Sequence, residues 1–123
     1  MKVIVVDDSL VMRKIIGGIV EDLGHETVHA GNGQQMLDVL GQQTDRIGLV
    51  LLDWNMPGAN GIEALREMQG NVKYHHIPVF MVSTESEDVK IREAIAAGAK
   101  DYLAKPFTAE ELAAKIEKAF GKK

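Results

Sequence analysis

The run Leu49–Leu52, four consecutive apolar residues that end at Asp53, constrains the fold more than any other stretch of this chain. A short apolar run without alternation is typical of a strand buried on both faces, as in a parallel sheet with helices on each side. The following Met56-Pro57-Gly58 is a turn signal, because proline fixes its own φ and glycine accepts positive φ. Asp53 is therefore predicted where a buried strand enters a loop. In open α/β sheets that edge binds ligands, although an aspartate there can equally be a turn or cap residue.

Four further segments are rich in β-branched or aromatic residues and are also predicted to be strands. Segments with helical periodicity separate the five predicted strands. Proline stands at the start of the fourth strand, where a missing N–H is tolerated. The predicted strands are Lys2–Val6, His25–Ala30, Ile47–Leu52, Ile77–Val82 and Lys100–Ala104.

Each predicted helix carries a start signal, and two carry a glycine stop at Gly24 and Gly98. Capping residues precede the apolar periodic stretches, and two of them have a glutamate three residues later, in the form of a capping box. The predicted starts are Ser9, Asn32, Asn60 with Glu63, the segment 84–87, and Thr108 with Glu111.

Alternating strands and helices predict an α/β fold: a doubly wound parallel sheet of five strands with five helices on both faces. Residues 1–123 form one predicted domain, because no linker, internal repeat or low-complexity tract interrupts the alternation. If strands one and three are neighbours, Asp7 and Asp8 lie beside Asp53 at the topological switch point. Ser83 and Lys105 follow strands four and five and converge on the same edge.

Composition excludes several classes of function. The 123 residues are 46% apolar and 26% charged, which is ordinary for a globular domain. The net charge of -4 argues against nucleic-acid binding, which requires a basic face. There is no cysteine, so disulfides, thiol catalysis and cysteine metal sites are excluded. The run Val3–Val6 is too short for a signal peptide or a membrane span, so a cytoplasmic protein without a membrane partner is expected.

The clustered carboxylates favour a magnesium site. Two or three carboxylates repel one another unless a cation shares the site, and few carboxylates with room for water and phosphate oxygens describe Mg²⁺. Asp7-Asp8 can alternatively be a helix N-cap pair ahead of Ser9. Lys105 and a hydroxyl of Ser83 or Thr84 could hold phosphoryl oxygens. Asp53 in such surroundings could act as a nucleophile on phosphorus and give an aspartyl phosphate.

In combination these residues resemble the receiver domain of two-component response regulators, and the resemblance extends over essentially the whole chain. It is carried by Asp7-Asp8, the segment Asp53-Trp54-Asn55-Met56-Pro57-Gly58, Ser83, Tyr102 and Lys105-Pro106-Phe107. It implies a flavodoxin-like fold with strand order 2-1-3-4-5, the order known for a chemotaxis receiver.

The same resemblance implies a role for each site residue. Asp53 would accept a phosphoryl group from a phosphohistidine of a sensor histidine kinase. Lys105 would contact that group, and the Lys105–Pro106 bond would be cis. Asp8, Asp53 and the Asn55 backbone carbonyl would bind Mg²⁺ directly, and Asp7 would act through water. The protein would then be no metabolic enzyme, since it would catalyse only its own phosphorylation and dephosphorylation.

The resemblance also implies a switch. The Ser83 hydroxyl would move toward the phosphoryl group and Tyr102 would turn inward, although Tyr102 also suits a half-buried strand position. The readout surface would be the helix after Ser83, the fifth strand and the last helix. Small residues there leave room for an unidentified protein partner, in a monomer or a weak phosphorylation-dependent dimer: Ala96, Ala97, Ala113 and Ala114.

Asp53-Trp54-Asn55 and Glu85 are similar to chemotaxis receivers, whereas Ser9 is common in other receivers. In the family, the positions of Asn55 and Glu85 modulate loss of the phosphoryl group, so a short-lived phosphoaspartate is expected. The Met1 start and the lack of a linker after Phe120 favour a free-standing receiver. Trp54 is expected to be partly exposed, and the four histidines are expected to be surface polar residues.

Two other functions fit parts of this pattern. A phosphatase of the haloacid dehalogenase type also uses a strand-end aspartate, Mg²⁺, a hydroxyl residue and a lysine. That class requires a second aspartate two residues after the nucleophile, where this chain has Asn55. A flavodoxin-like cofactor carrier is less well supported, because the loop after the first strand is acidic and lacks a glycine-rich phosphate cradle.

Overall fold

The computed structural model describes residues 2–43, 46–54, 61–84 and 88–120. Within these ranges strands and helices alternate. The strands are β1 (Lys2–Val6), β2 (Glu26–Ala30), β3 (Ile47–Leu52), β4 (Val79–Ser83) and β5 (Asp101–Ala104). The helices are α1 (Leu10–Asp22), α2 (Gly33–Gln43), α3 (Gly61–Gln69), α4 (Asp88–Ala96) and α5 (Ala109–Ala119).

The strands form one parallel sheet in the order β2-β1-β3-β4-β5. The predicted doubly wound α/β class is therefore confirmed. Val6 at the end of β1 pairs with Ala30 of β2 and Leu52 of β3, and Ser83 of β4 pairs with Ala104 of β5. Because the carboxyl ends are aligned, the residue after each of these strands emerges at one common edge.

Alternate residues of each strand enter opposite sides of the sheet, and both sides are apolar because helices cover both. Helices α1 and α5 pack on one side and α2, α3 and α4 on the other. The first side buries Val3, Val5, Leu49, Leu51, Phe80, Val82 and Leu103 against Ile16, Val20, Leu112 and Ile116. The second buries Ile4, Val6, Val50, Leu52, Val79 and Met81 against Met36, Leu40, Ile62, Leu65, Met68 and Ala94.

Most of the predicted helix ends are present in the structure. The Ser9 hydroxyl accepts a hydrogen bond from the Met12 backbone N–H at 3.2 Å, and Asn32 Oδ1 accepts one from the Gln35 N–H at 2.9 Å. Gly24 and Gly98 adopt positive φ values of 90° and 115° after α1 and α4, a conformation that β-carbons disfavour. The predicted caps at Asn60 and at residues 85–87 lie outside the described residues.

Strand β4 begins two residues later than predicted and includes Ser83. The reason lies in the preceding turn, where the Ile77 N–H donates to the Tyr74 carbonyl at 2.9 Å instead of to the sheet. Pro78 has no N–H to donate, but its carbonyl accepts from Val50 N–H at 3.0 Å. Ser83 therefore lies within the sheet and not beyond its edge.

The expectation that all histidines are surface polar residues is wrong for His25. Its ring is half-buried and lies 4.4 Å, centroid to centroid, from the Phe120 ring. Phe120 is the C-cap of α5, so this contact joins the ends of α1 and α5. His29, His75 and His76 are exposed as expected.

In the ranges that the structure describes, no helix is long and apolar enough to cross a membrane.

The capping box of α5 supports a stability prediction. Thr108 Oγ1 accepts from the Glu111 N–H at 3.0 Å, and Glu111 Oε1 accepts from the Thr108 N–H at 3.0 Å. Thr108→Ala is expected to lower the free energy of unfolding by about 1 kcal/mol, because one N–H loses its partner. Thr108→Ser retains the hydroxyl and is expected to stay within about 0.5 kcal/mol of the wild type. Urea denaturation measures both; equal losses would mean that the box does not stabilise α5.

Candidate functional site

Three carboxylates converge at the carboxyl edge of the sheet. Asp7 follows β1 and Asp53 follows β3, and the alignment of these central strands brings them together with Asp8. One carboxylate oxygen from each of the three lies within 4.8 Å of the other two. Asp7 and Asp53 are 2% and 6% exposed, whereas Asp8 is open to solvent. The cluster therefore has a buried base and an accessible mouth.

Lys105 supplies the positive charge of this site. It follows β5, and its backbone N–H extends the sheet by donating to the Ser83 carbonyl at 2.8 Å. Its Nζ lies 2.7 Å from Asp7 Oδ2 and 3.5 Å from Asp53 Oδ1, with 13% of its side chain exposed. The Lys105–Pro106 peptide bond is cis, as the family resemblance implies. A largely shielded ammonium between two buried carboxylates offsets their mutual repulsion.

Asp7 is held on both sides of its carboxylate. Oδ2 is bound by Lys105 Nζ, and Oδ1 accepts from the Ser9 backbone N–H at 2.9 Å. The Arg13 guanidinium also donates from Nη1 to the Asp7 backbone carbonyl. Sequence reasoning missed Arg13, although its position one helical turn after Ser9 was a signal that it faces the site.

The oxygen cluster fits a hard divalent cation. Mg²⁺ prefers carboxylate, carbonyl and water oxygens and retains several waters, which requires an accessible mouth. Asp8 meets this requirement because it is open to solvent at the mouth of the cluster, and Asp53 lies next to it at the buried base. Both Asp7 oxygens already have donors. Asn55, the remaining predicted ligand, lies outside the described residues.

Ser83 and Tyr102 lie on neighbouring strands and face the same side of the sheet. Ser83 is fully buried and stands two residues after Met81, which belongs to the core on the α4 side. Tyr102 pairs with Met81, is half-buried and packs against the same core. Thr84, the alternative hydroxyl, is exposed. The structure thus groups Ser83 with Tyr102 beneath α4.

The expectation that Trp54 is partly exposed is wrong, because its side chain is only 4% exposed. It joins the apolar core beneath α2, α3 and α4. The Lys90 ammonium of α4 lies 5.4 Å from the centroid of the indole ring, a distance at which a cation is attracted to the ring face. The long stem of lysine can also shield the ring from water.

Gly61 is a second residue that sequence reasoning missed. Its N–H donates to the Trp54 carbonyl at 2.7 Å, which brings the start of α3 onto the end of β3. A β-carbon at position 61 would lie 2.2 Å from the Asp53 carbonyl oxygen and 2.9 Å from the Trp54 Cα. Only glycine permits this approach, so α3 can pack directly beside the backbone of Asp53.

Helix α4 is the most lightly anchored element near the site. Within α4 as described, Ala94 is the only fully buried residue, whereas α3 buries five. Its other ties to the body of the protein include Lys90 over Trp54 and an exposed ion pair of Glu93 with Arg66 of α3 at 3.5 Å. Exposed pairs of this kind contribute little.

Comparison with known protein families gives one match that spans most of the chain. Residues 3–117 match the response regulator receiver domain. The chain belongs to this family.

Curated relatives of this receiver domain include chemotaxis proteins. It is 41% identical over 121 residues to the chemotaxis protein CheY of Pseudomonas aeruginosa, covering 98% of this chain and 96% of the relative. It is 38% identical over 122 residues to a CheY homolog of Campylobacter jejuni, covering 98% and 93%. The crystal structure of Vibrio cholerae CheY4 superposes with a TM-score of 0.89 at 30% identity, covering 96% of this chain and 97% of that one.

Membership of the receiver family groups this chain with signalling switches of two-component systems and not with metabolic enzymes. That assignment favours the receiver over the phosphatase of the haloacid dehalogenase type and over the cofactor carrier. The acidic cluster is consistent with the magnesium site that such domains have.

The approach of Gly61 to Asp53 gives a matched pair of substitutions. Gly61→Ala is expected to lower the free energy of unfolding by about 2–3 kcal/mol or more, because its β-carbon meets fixed backbone atoms. Gly18→Ala, in the exposed middle of α1 with nothing within 4 Å, is expected to raise it by roughly 0.5–1 kcal/mol. Urea denaturation measures both. A Gly61→Ala protein as stable as the wild type would show that the close approach is not required.

Proposed function

We propose that this receiver domain is a phospho-acceptor switch in which Asp53 takes a phosphoryl group from a phosphohistidine of a sensor histidine kinase. An Asp53 carboxylate oxygen attacks phosphorus, the bond from phosphorus to the histidine nitrogen breaks, and the imidazole keeps the electron pair and gains a proton. One observation carries the proposal: Asp53 stands at the carboxyl edge of the sheet beside two carboxylates and the Lys105 ammonium. In phosphoryl transfer, positioning and charge neutralisation supply most of the rate enhancement.

Lys105 would contact the incoming phosphoryl oxygens. Its ammonium already lies 3.5 Å from Asp53 Oδ1, so a phosphoryl group on Asp53 would come within its reach. The Ser83 hydroxyl would provide a further hydrogen bond. Ser83 is buried and the Lys105 side chain is only 13% exposed, which strengthens their electrostatic interactions relative to those in water.

Mg²⁺ would be held by Asp8, Asp53 and the Asn55 backbone carbonyl, with Asp7 acting through water. When bound, the ion would neutralise negative charge on the phosphoryl oxygens. The indirect role of Asp7 is supported by its contacts, because its two oxygens already accept from Lys105 and Ser9. The direct role of Asp8 is supported by its exposure to solvent.

Signalling would proceed through Ser83 and Tyr102 to the surface formed by α4, β5 and α5. Ser83 and Tyr102 face the side of the sheet that α4 covers, and α4 is anchored by one buried residue. A new charge at Asp53 could therefore shift α4 at little cost in packing. Ala96 and Ala114 are exposed, and Ala97 and Ala113 are half-buried, which leaves room for a protein partner.

The proposed switch also has implications for domain organisation, cellular location, oligomeric state and pathway. Residues 1–123 would be a single receiver that catalyses only its own phosphorylation and dephosphorylation, in the cytoplasm, as a monomer or weak phosphorylation-dependent dimer. The chemotaxis relatives support a chemotaxis-like pathway. A short-lived phosphoaspartate is expected from Asn55 and Glu85, both of which lie outside the described residues.

The phosphodonor would dock on the exposed apolar residues of α1. Leu10, Val11 and Ile15 are 55%, 68% and 50% exposed, and the helix begins directly after Asp8 and Ser9. Any protein that delivers a phosphoryl group to Asp53 must cover this edge of the sheet. An exposed apolar patch beside Asp53 would therefore add binding energy for the phosphodonor protein that the carboxylates do not provide.

Phosphorylation of Asp53 can be measured directly. Incubation with acetyl phosphate and Mg²⁺ is expected to add one phosphoryl group to the intact mass, and Asp53→Asn is expected to remove this gain because the amide is not a nucleophile. Omission of Mg²⁺ is expected to reduce it sharply. An adduct that persists in Asp53→Asn would refute the assigned acceptor, and one stable for hours in Mg²⁺ buffer would refute the short lifetime.

Two phosphodonors, the histidine kinase and acetyl phosphate, distinguish an effect on docking from an effect on phosphoryl transfer itself. Val11→Glu is expected to slow transfer from the phosphorylated histidine kinase about tenfold, because docking would bury an unpaired carboxylate. Its rate with acetyl phosphate is expected to be unchanged, since that donor needs no protein surface. The control is Val72→Glu, which places the same charge at a position 81% exposed after α3. Equal rates for both variants with the kinase would exclude α1 as the docking surface.

A further inference from the structure

A second cavity lies at the opposite, amino-terminal edge of the sheet, remote from the aspartates. It has a volume of about 660 Å³, within the range of roughly 300–1,000 Å³ that small-molecule sites occupy. Its walls are the turn between α3 and β4, the turn between α4 and β5, and the last turn of α5. None of the residues assigned to phosphorylation lines it.

The cavity has a basic rim and an apolar floor. Lys100 and Lys118 contribute two ammonium groups, and His75 and His76 contribute imidazole rings. The floor includes Ile77 and Phe80, which are 2% and 4% exposed. This combination can bind a flat apolar body and an attached anion at the same time.

Asp101, the carboxylate among the lining residues, is already paired. Its Oδ1 is 2.9 Å from Lys115 Nζ and also accepts from the Tyr102 backbone N–H at 2.8 Å. Its charge is therefore largely offset within the protein. The rim remains positive on a chain whose net charge is -4 and whose other edge carries the carboxylate cluster. An anion is attracted to this edge of the sheet.

The walls are held in place by backbone interactions. In the turn before β4, the Tyr74 and His75 N–H groups both donate to the Asn71 carbonyl at 2.9 Å. In the turn after α4, Gly98 adopts a φ of 115° and lies against the Gln69 side chain, where a β-carbon would come within 2.6 Å. A cavity with such walls is preformed, which lowers the entropic cost of binding.

We infer that this cavity binds a small phosphorylated molecule with a planar aromatic ring, such as a mononucleotide. Lys100 and Lys118 would hold the phosphate, and the ring would lie against the apolar part of the lining. This site is independent of Asp53, so it does not depend on the proposed phosphorylation.

The test is a nuclear magnetic resonance titration of the ¹⁵N-labelled full chain with two matched probes, AMP and adenosine. AMP is expected to produce saturable amide shifts confined to residues 74–80, 98–101 and 116–120. Adenosine, which lacks the phosphate, is expected to bind at least about tenfold more weakly, because charge-assisted hydrogen bonds to phosphate would be lost. Shifts centred on residues 7–13 or 53–54, or no saturation, would overturn the inference.

Substitutions and a phosphate control test the roles of the two lysines and of the apolar floor. The double variant Lys100→Gln and Lys118→Gln is expected to weaken AMP binding at least about tenfold through loss of both ammonium groups. The control is Lys14→Gln on the exposed side of α1, with unchanged affinity expected. Equal affinity in the double variant would refute the role of the lysines. Inorganic phosphate that binds as tightly as AMP would refute the role of the apolar floor. Both lysines are exposed, so their substitution is not expected to impair folding.

Discussion

The ion pair between Lys105 and the buried carboxylates is the interaction on which the site depends. Asp7 and Asp53 are nearly inaccessible to solvent, and two buried negative charges at the ends of neighbouring strands would repel each other. Lys105 Nζ contacts both. Removal of one partner from such a buried group leaves an uncompensated charge, which costs more than the ion pair itself contributes. The acidic edge is therefore coupled to β5, the strand that carries Tyr102.

This coupling relates the site to the surface proposed for signalling. Ser83 and Lys105 are joined through the backbone, since the Lys105 N–H donates to the Ser83 carbonyl. In the proposed switch, a change in charge around Asp53 would act on the ends of β4 and β5 through these contacts. Trp54 adds a second route, because it follows Asp53 directly and lies beneath the Lys90 ammonium of α4. A helix with so little buried surface as α4 is an element that a local charge change can shift.

The start of α3 packs closely against the end of β3, next to Asp53. Gly61 brings the two backbones so close that no β-carbon fits between them. Asp53 is consequently positioned by this close backbone packing, whereas α4 as described buries only Ala94. The proposed switch would depend on this contrast between a closely packed Asp53 and a helix with little buried surface.

Much of this protein could be predicted from its sequence. Buried parallel strands produce continuous apolar runs, so Leu49–Leu52 and its counterparts were identified, and the α/β class and the receiver family are confirmed. Helix ends were predicted from Ser9, Asn32 and Thr108, because capping depends on hydrogen bonds between residues two or three positions apart. The roles of Asp53, Lys105 and Ser83 in phosphoryl transfer stay predictions.

What only the tertiary structure decided depends on contacts between residues distant along the chain. The burial of Trp54 arises from packing beneath α4, and its position after a strand-end aspartate suggested exposure instead. The requirement for glycine at position 61 arises from the meeting of two backbones, and His25 is half-buried because Phe120 lies against it. Local pattern determines which segments form strands and helices, since that choice depends on neighbouring residues. The distances between segments depend on how their side chains fill shared space, which no local pattern records.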